Sequence, residues 1–140
     1  MAYKVNPFYN IDAPVGQGQA NKTLDVKLVQ FLLIKVASRT KGKWTPPAAA
    51  IAVDGIYTPA LGEWIKSYQT TVHATRDGIV HPQVNPHWKH FGTLVSLNAS
   101  FRNNFGAARH DDIAAESDLP ADLRSALGAA KARPEMGTTA

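Results

Sequence analysis

The chain has 140 residues, of which 44% are hydrophobic and 19% charged, enough for one packed domain and ordinary for a globular protein. It has no cysteine, which excludes a disulfide framework, a thiolate metal site and a cysteine nucleophile. The net charge of +4 is uneven: residues 1–50 carry +5, residues 51–100 are neutral, and residues 101–140 carry −1. A basic front and an acidic patch (Asp111, Asp112, Glu116, Asp118) suit either a solvated surface or head-to-tail contact between copies.

No apolar run approaches the roughly 18 residues of a membrane span. The most apolar stretch, Leu28 to Val36, is broken by Gln30 and Lys35. The N-terminal residues show no apolar core of a secretion signal, so none is expected.

Residues 1–20 read as an extended arm broken by Pro7, Pro14, Gly16 and Gly18. Tyr3, Val5, Phe8, Tyr9 and Ile11 give it apolar surface to lay on its own domain or on a neighbouring chain. A first helix is predicted from a cap at Asn21 or Thr23 to about Ser38. It is apolar over most of its circumference and therefore expected to be central. Arg39, Lys41 and Lys43 with Trp44 form a basic loop containing an aromatic residue.

One phrase then occurs twice, 23 residues apart: Asp54-Gly55-Ile56-x-x-Pro59 and Asp77-Gly78-Ile79-x-x-Pro82. Asp-Gly signals a tight turn, because glycine accepts positive φ and aspartate bonds the backbone that follows. The isoleucine is expected to lie buried beneath each turn, and the proline to open a helix. A second helix is predicted from Pro59 to about Val72, with Leu61, Trp64, Ile65 and Tyr68 forming one buried stripe. Gly62 weakens that helix by about 1 kcal/mol relative to alanine, which suggests close packing there. A third helix is predicted from about His87 to Asn98 or beyond, followed by a polar loop over 102–118. Ser117-Asp118-Leu119-Pro120 signals a last helix. Leu119, Leu123 and Leu127 give that helix one apolar side, for its own core or for another chain.

Residues Gly18 to Val84, about half of the chain, resemble the peptidoglycan-binding-like domain, a small three-helix module. Leu24 to Leu33 is similar to that family's first helix with its V-x-x-L-Q-x-x-L rhythm. Val53-Asp54-Gly55-Ile56-Tyr57 is similar to its D-G-x-F turn, Trp64 to Gln69 stands at its A-V-x-x-F-Q, and Asp77-Gly78-Ile79-Val80 matches its closing D-G-I-V. Thr58 stands where the family has glycine, Leu61 where it has threonine, and Trp64 where it has a small residue. The resemblance implies an all-α fold: a small three-helix peptidoglycan-binding-like bundle over 21–100. An extended N-terminal arm (1–20) precedes it, and an acidic loop, C-terminal helix and tail (101–140) follow.

Asp54, Gly55, Asp77 and Gly78 are explained by their turns without any catalytic role. His87-x-x-His90, with His73, His81 and His110, lacks a defined third ligand, so no metal and no cofactor is expected. No Gly-x-Ser-x-Gly elbow is present. Arg39, Lys41, Lys43 and Trp44 suit an anionic polymer, though a solvated loop with Trp44 folded on the core is the commoner arrangement for such a stretch. By the resemblance, ligand contacts come from loops around the Asp-Gly turns, which makes Tyr57, Thr58 and Trp64 binding candidates.

The expected function is that of a non-catalytic structural or interaction protein of a phage particle or similar assembly. Its partners would be other protein subunits held through the N-terminal arm and C-terminal helix. Its location would be the virion, or the bacterial cytoplasm before assembly. The alternative is a cell-wall recognition module that binds peptidoglycan and positions a partner hydrolase. Nucleic acid is not an expected partner.

Overall fold

A computed structural model describes residues 8–83 and 92–130, with side chains as far as Leu127. The protein is all-α. The described residues form α1 (Thr23–Ser38), α2 (Pro59–Thr71), α3 (Thr93–Phe105), a short α4 (Ala107–Asp111), a 3-10 turn (Ile113–Ala115) and α5 (Ala121–Ala130). Helix α1 packs against α2, α3 and α5, and Val26, Leu28, Val29, Phe31, Leu32 and Leu33 are all buried. Its apolar circumference is used because it has neighbours on several sides.

The start of α1 differs from expectation. Lys22 is the N-cap residue and makes no side-chain cap bond. Asn21 is left-handed (φ 49°), and its amide instead closes the preceding loop, donating to Gly16 O at 2.8 Å and accepting from Gly16 N at 2.9 Å. Helix α2 begins as predicted: Thr58 Oγ1 accepts from Leu61 N at 3.2 Å and proline follows. It ends with His73 in the left-handed region (φ 60°). There Ala74 N donates back to Gln69 O at 2.9 Å and His73 N to Thr70 O at 3.3 Å, a helix-closing motif.

Helix α3 starts at Thr93 and runs to Phe105, so the first part of the predicted loop over 102–118 is helical. The reason is apolar spacing: Leu94, Leu97 and Phe101 are buried, and Phe105 stacks on Phe101 at 5.0 Å. Gly106 (φ 99°) stops the helix, and α4 and the 3-10 turn occupy more of that loop. Residues 87–91 of the predicted third helix lie outside the described residues.

The described part of the N-terminal arm folds back onto the domain. Phe8, Tyr9, Ile11 and Val15 are buried. The Asp25 carboxylate accepts from Asp12 N (3.0 Å) and Ala13 N (3.1 Å), and Val15 forms an antiparallel bridge with Val80. Tyr9 N donates to Asn98 Oδ1 (3.0 Å), Asn98 Nδ2 returns a bond to Tyr9 O (3.1 Å), and Tyr9 Oη donates to His110 O (2.6 Å). Helix α5 also turns inward. Leu119, Leu123 and Leu127 are buried, and Lys27–Asp122 (2.7 Å) and Lys35–Asp118 (2.8 Å) flank the contact.

Candidate functional site

The repeated turns share one bonding pattern, and each is held by a buried glutamine of the preceding helix. At the first turn, Gln30 Nε2 donates to Asp54 Oδ1 (2.8 Å) and Ile56 O (3.1 Å), while its Oε1 accepts from Asp54 N (3.0 Å) and Gly55 N (2.9 Å). At the second, Gln69 Nε2 donates to Asp77 Oδ1, Ile79 O and Thr93 Oγ1 (3.1, 3.1 and 3.0 Å), and its Oε1 accepts from Gly78 N (2.9 Å). In both turns the aspartate accepts from the isoleucine N–H at 3.0 Å. Gly55 (φ 78°) and Gly78 (φ 72°) supply the left-handed residue. The Ile56 N–H, then the Gln30 amide, hold the Asp54 carboxyl below its ordinary value. These aspartates are structural, each engaged within its own turn.

The isoleucines are not buried beneath the turns. Ile56 is 61% exposed and Ile79 half-buried; the next residue, half-buried Tyr57 or fully buried Val80, faces the core. The Tyr57 hydroxyl lies over Gly62, where an added Cβ would collide with it. Burial, then Glu63, pushes that hydroxyl's pKa upward. Thr58 serves as the α2 cap. Trp64 is 7% exposed, and its indole N–H donates to Ala49 O at 2.7 Å, anchoring the alanine-rich link.

The basic loop divides. Arg39 lies with its guanidinium 4.6 Å from the Phe105 ring centre. Lys41 (φ 54°) and Gly42 (φ 76°) occupy the centre of a tight turn closed by Lys43 N to Thr40 O at 3.1 Å. Trp44 is folded on the core: it meets Trp64 edge-on at 5.8 Å and Tyr68 at 5.3 Å, and its indole N–H donates to Ser67 Oγ at 3.0 Å.

Lys43 and Trp44 nevertheless border a cleft of about 430 Å³ between the C-terminal ends of α1, α2 and α3. Its apolar floor is Val36, Trp44, Tyr68 and Val72; Thr40, Thr71, Ser100, Asn103 and Asn104 supply hydroxyls and amides, and Lys43 one ammonium group. Tyr68 and Ser100 share a hydrogen bond of 2.7 Å across it. Of the seven binding candidates read from sequence, only Lys43 and Trp44 line this cleft, with Trp64 behind Trp44. Tyr57 and Thr58 are at the first turn, and Arg39 and Lys41 are not in the lining. Asn103 and Asn104 were missed because residues 102–118 read as loop, and Ser100 because the predicted third helix had no defined end beyond Asn98. The signal available was the four-residue step from Phe101 to Phe105, which places Ser100, Asn103 and Asn104 together along one side of a helix.

The described histidines do not gather. His73 ends α2, and His81 Nε2 lies 3.7 Å from Asp77 Oδ2 at the surface. His110 is buried with its ring edge-on to Tyr9 at 5.1 Å. Among the described residues no three potential ligands converge; His87 and His90 lie outside them. Desolvation, then the neighbouring Arg102, lowers the His110 pKa to about 4. No helix among the described residues is long and apolar enough to cross a membrane. No family model matches the chain, and neither a curated protein nor a solved structure matches it.

Proposed function

We propose that the chain is a non-catalytic recognition module whose cleft takes a polar, hydroxyl- and amide-bearing polymer, with bacterial peptidoglycan as the ligand class. The observation that carries this reading is the 430 Å³ cleft lined by hydroxyls, two asparagines and Lys43 over an apolar floor. Its volume suits a small-molecule segment. Its groups match a glycan's hydroxyls and acetamides, and Lys43, exposed and without an ion pair among the described residues, suits a stem-peptide carboxylate. The doubled Asp-Gly-Ile phrase, with its glutamine clamps, adds the resemblance to peptidoglycan-binding-like domains. Resemblance of fold alone would be a weak warrant.

The test is a pull-down on insoluble peptidoglycan. Saturable binding is expected, reduced about tenfold in a Lys43→Ala/Asn103→Ala variant that loses two charged or polar contacts and keeps its circular dichroism. Equal retention of wild type and variant, or none of either, would sink the reading.

The second reading is a structural or interaction subunit of a phage particle or similar assembly, present in the virion or in the bacterial cytoplasm beforehand. The sequence favours it on the strength of two apolar arms, but the described parts of both turn their apolar side chains into the domain. What still supports it is exposed apolar surface elsewhere, at Ile56 (61%) and Leu24 (39%).

A further inference from the structure

The two Asp-Gly-Ile turns share their internal bonding but differ in what covers them. At the second turn, Val80 N donates to Val15 O (2.8 Å) and Val15 N donates to Val80 O (3.0 Å). Gly16 then crosses the turn so closely that a Cβ there would lie 2.8 Å from Gly78 O and 3.0 Å from Ile79 Cγ1. The chain's own extended segment thus completes that edge and lies against Ile79.

Tyr57 occupies the register of Val80 in the first turn. Among the described residues neither its N–H nor its C=O has a hydrogen-bond partner, and nothing covers Ile56 as Gly16 covers Ile79, which leaves Ile56 61% exposed. Two turns built alike therefore present one closed edge and one open edge, and the closed one displays the ligand that such an edge accepts.

We propose that the first turn is a docking edge for an extended peptide of a partner protein. The peptide pairs antiparallel with the Tyr57 backbone, as Val15 does with Val80. Its chemistry is an apolar residue followed by glycine, since any side chain at the second position meets the turn's carbonyl. Backbone bonds supply the pairing and Ile56 the apolar contact. A second copy of this chain is a poorer occupant, because its own Val15-Gly16 is engaged within its own domain. This edge is separate from the cleft, and either can fail without the other.

The test uses the full chain, isotope-labelled for NMR, titrated with acetyl-Ala-Pro-Val-Gly-Gln-amide, which copies residues 13–17. Saturable shifts of the Ile56, Tyr57 and Thr58 amides are expected, with slowed hydrogen exchange at Tyr57. N-methylation of the peptide valine, or Ile56→Lys at this exposed position, should weaken binding about tenfold. The proposal is overturned by no shifts at millimolar peptide, by shifts confined to the Val80 edge, or by binding that N-methylation leaves unchanged. Concentration-dependent dimerisation perturbing the same amides without peptide would assign the edge to a second copy and overturn it equally.

Discussion

Gly62 and Tyr57 show how far a single atom decides stability here. Alanine in the interior of α2 should gain about 1 kcal/mol of helix propensity, yet its Cβ would meet the Tyr57 hydroxyl, whereas the nearest ring carbon would lie 3.5 Å away. Gly62→Ala is therefore expected to lose about 1–2 kcal/mol in the wild type and to become neutral or stabilising in a Tyr57→Phe background. Urea denaturation of the four chains of this cycle measures the coupling. Gln30 makes the complementary case. Gln30→Ala would strand the Asp54 and Gly55 N–H groups and the Ile56 carbonyl, at a cost of about 2–4 kcal/mol for this set of bonds. A loss below about 1 kcal/mol in thermal or urea unfolding would show that water replaces the clamp. Neither glutamine was legible as a clamp, because a buried polar residue reads in sequence only as an interruption. Its value lies in partners 24 residues away for Gln30 and 8 for Gln69.

At the scale of elements, α1, α2 and α5 were legible because each carries its own periodicity and punctuation. Thr58-Pro59 started α2 by local chemistry alone, and Leu119, Leu123 and Leu127 marked one apolar side of α5, which the structure turns into the chain's own core. What failed was non-local. Ile56 was assigned to the core because isoleucine is apolar, but only the course of Val15 and Gly16 determines which isoleucine is covered, and that partner lies far away in sequence. The end of α2 shows the same limit. His73 carried no local signal in the sequence, whereas its conformation makes it the left-handed residue that closes the helix. His73→Gly should relieve that strain and raise stability by about 1 kcal/mol. An unchanged or lower midpoint in thermal unfolding would mean that the entropy of glycine in the unfolded chain outweighs the relief.

The whole molecule is knotted together at Tyr9, Asn98 and His110. His110 Nε2 faces Asn98 Oδ1 at 3.2 Å and Nδ1 faces Arg102 Nη1 at 3.4 Å, which fits a neutral ring donating from Nε2 and accepting at Nδ1. Besides Arg102, the ring meets Tyr9 and Phe101, and Asp111 acts weakly in the opposite sense. As pH falls from 6.5 to about 4, the unfolded chain takes up a proton that the folded chain refuses, so stability decreases across that window. The loss should be on the order of 3 kcal/mol. Glu116, held down chiefly by its bond with Arg109, and Asp54, held down chiefly by the Ile56 N–H, also lose their stabilising charge as pH falls from their ordinary carboxylate values through their depressed ones. Urea midpoints between pH 7 and pH 4 should fall steadily in the wild type. A His110→Gln chain, weaker at pH 7, should show a flatter profile over the same range; parallel profiles would remove His110 from the account.

The folded-back segment also bears on how the protein is made. Tyr9 and the carbonyl of His110 are 101 residues apart in the chain, so the segment around Tyr9 leaves the ribosome long before its docking site exists. Tyr9 must stay uncommitted throughout that interval, and Val15 until Val80 has been made, both as bait for a chaperone or a protease. Closure of the fold is thus timed by translation, and slowing synthesis between these two points lengthens the nascent chain's period of greatest vulnerability.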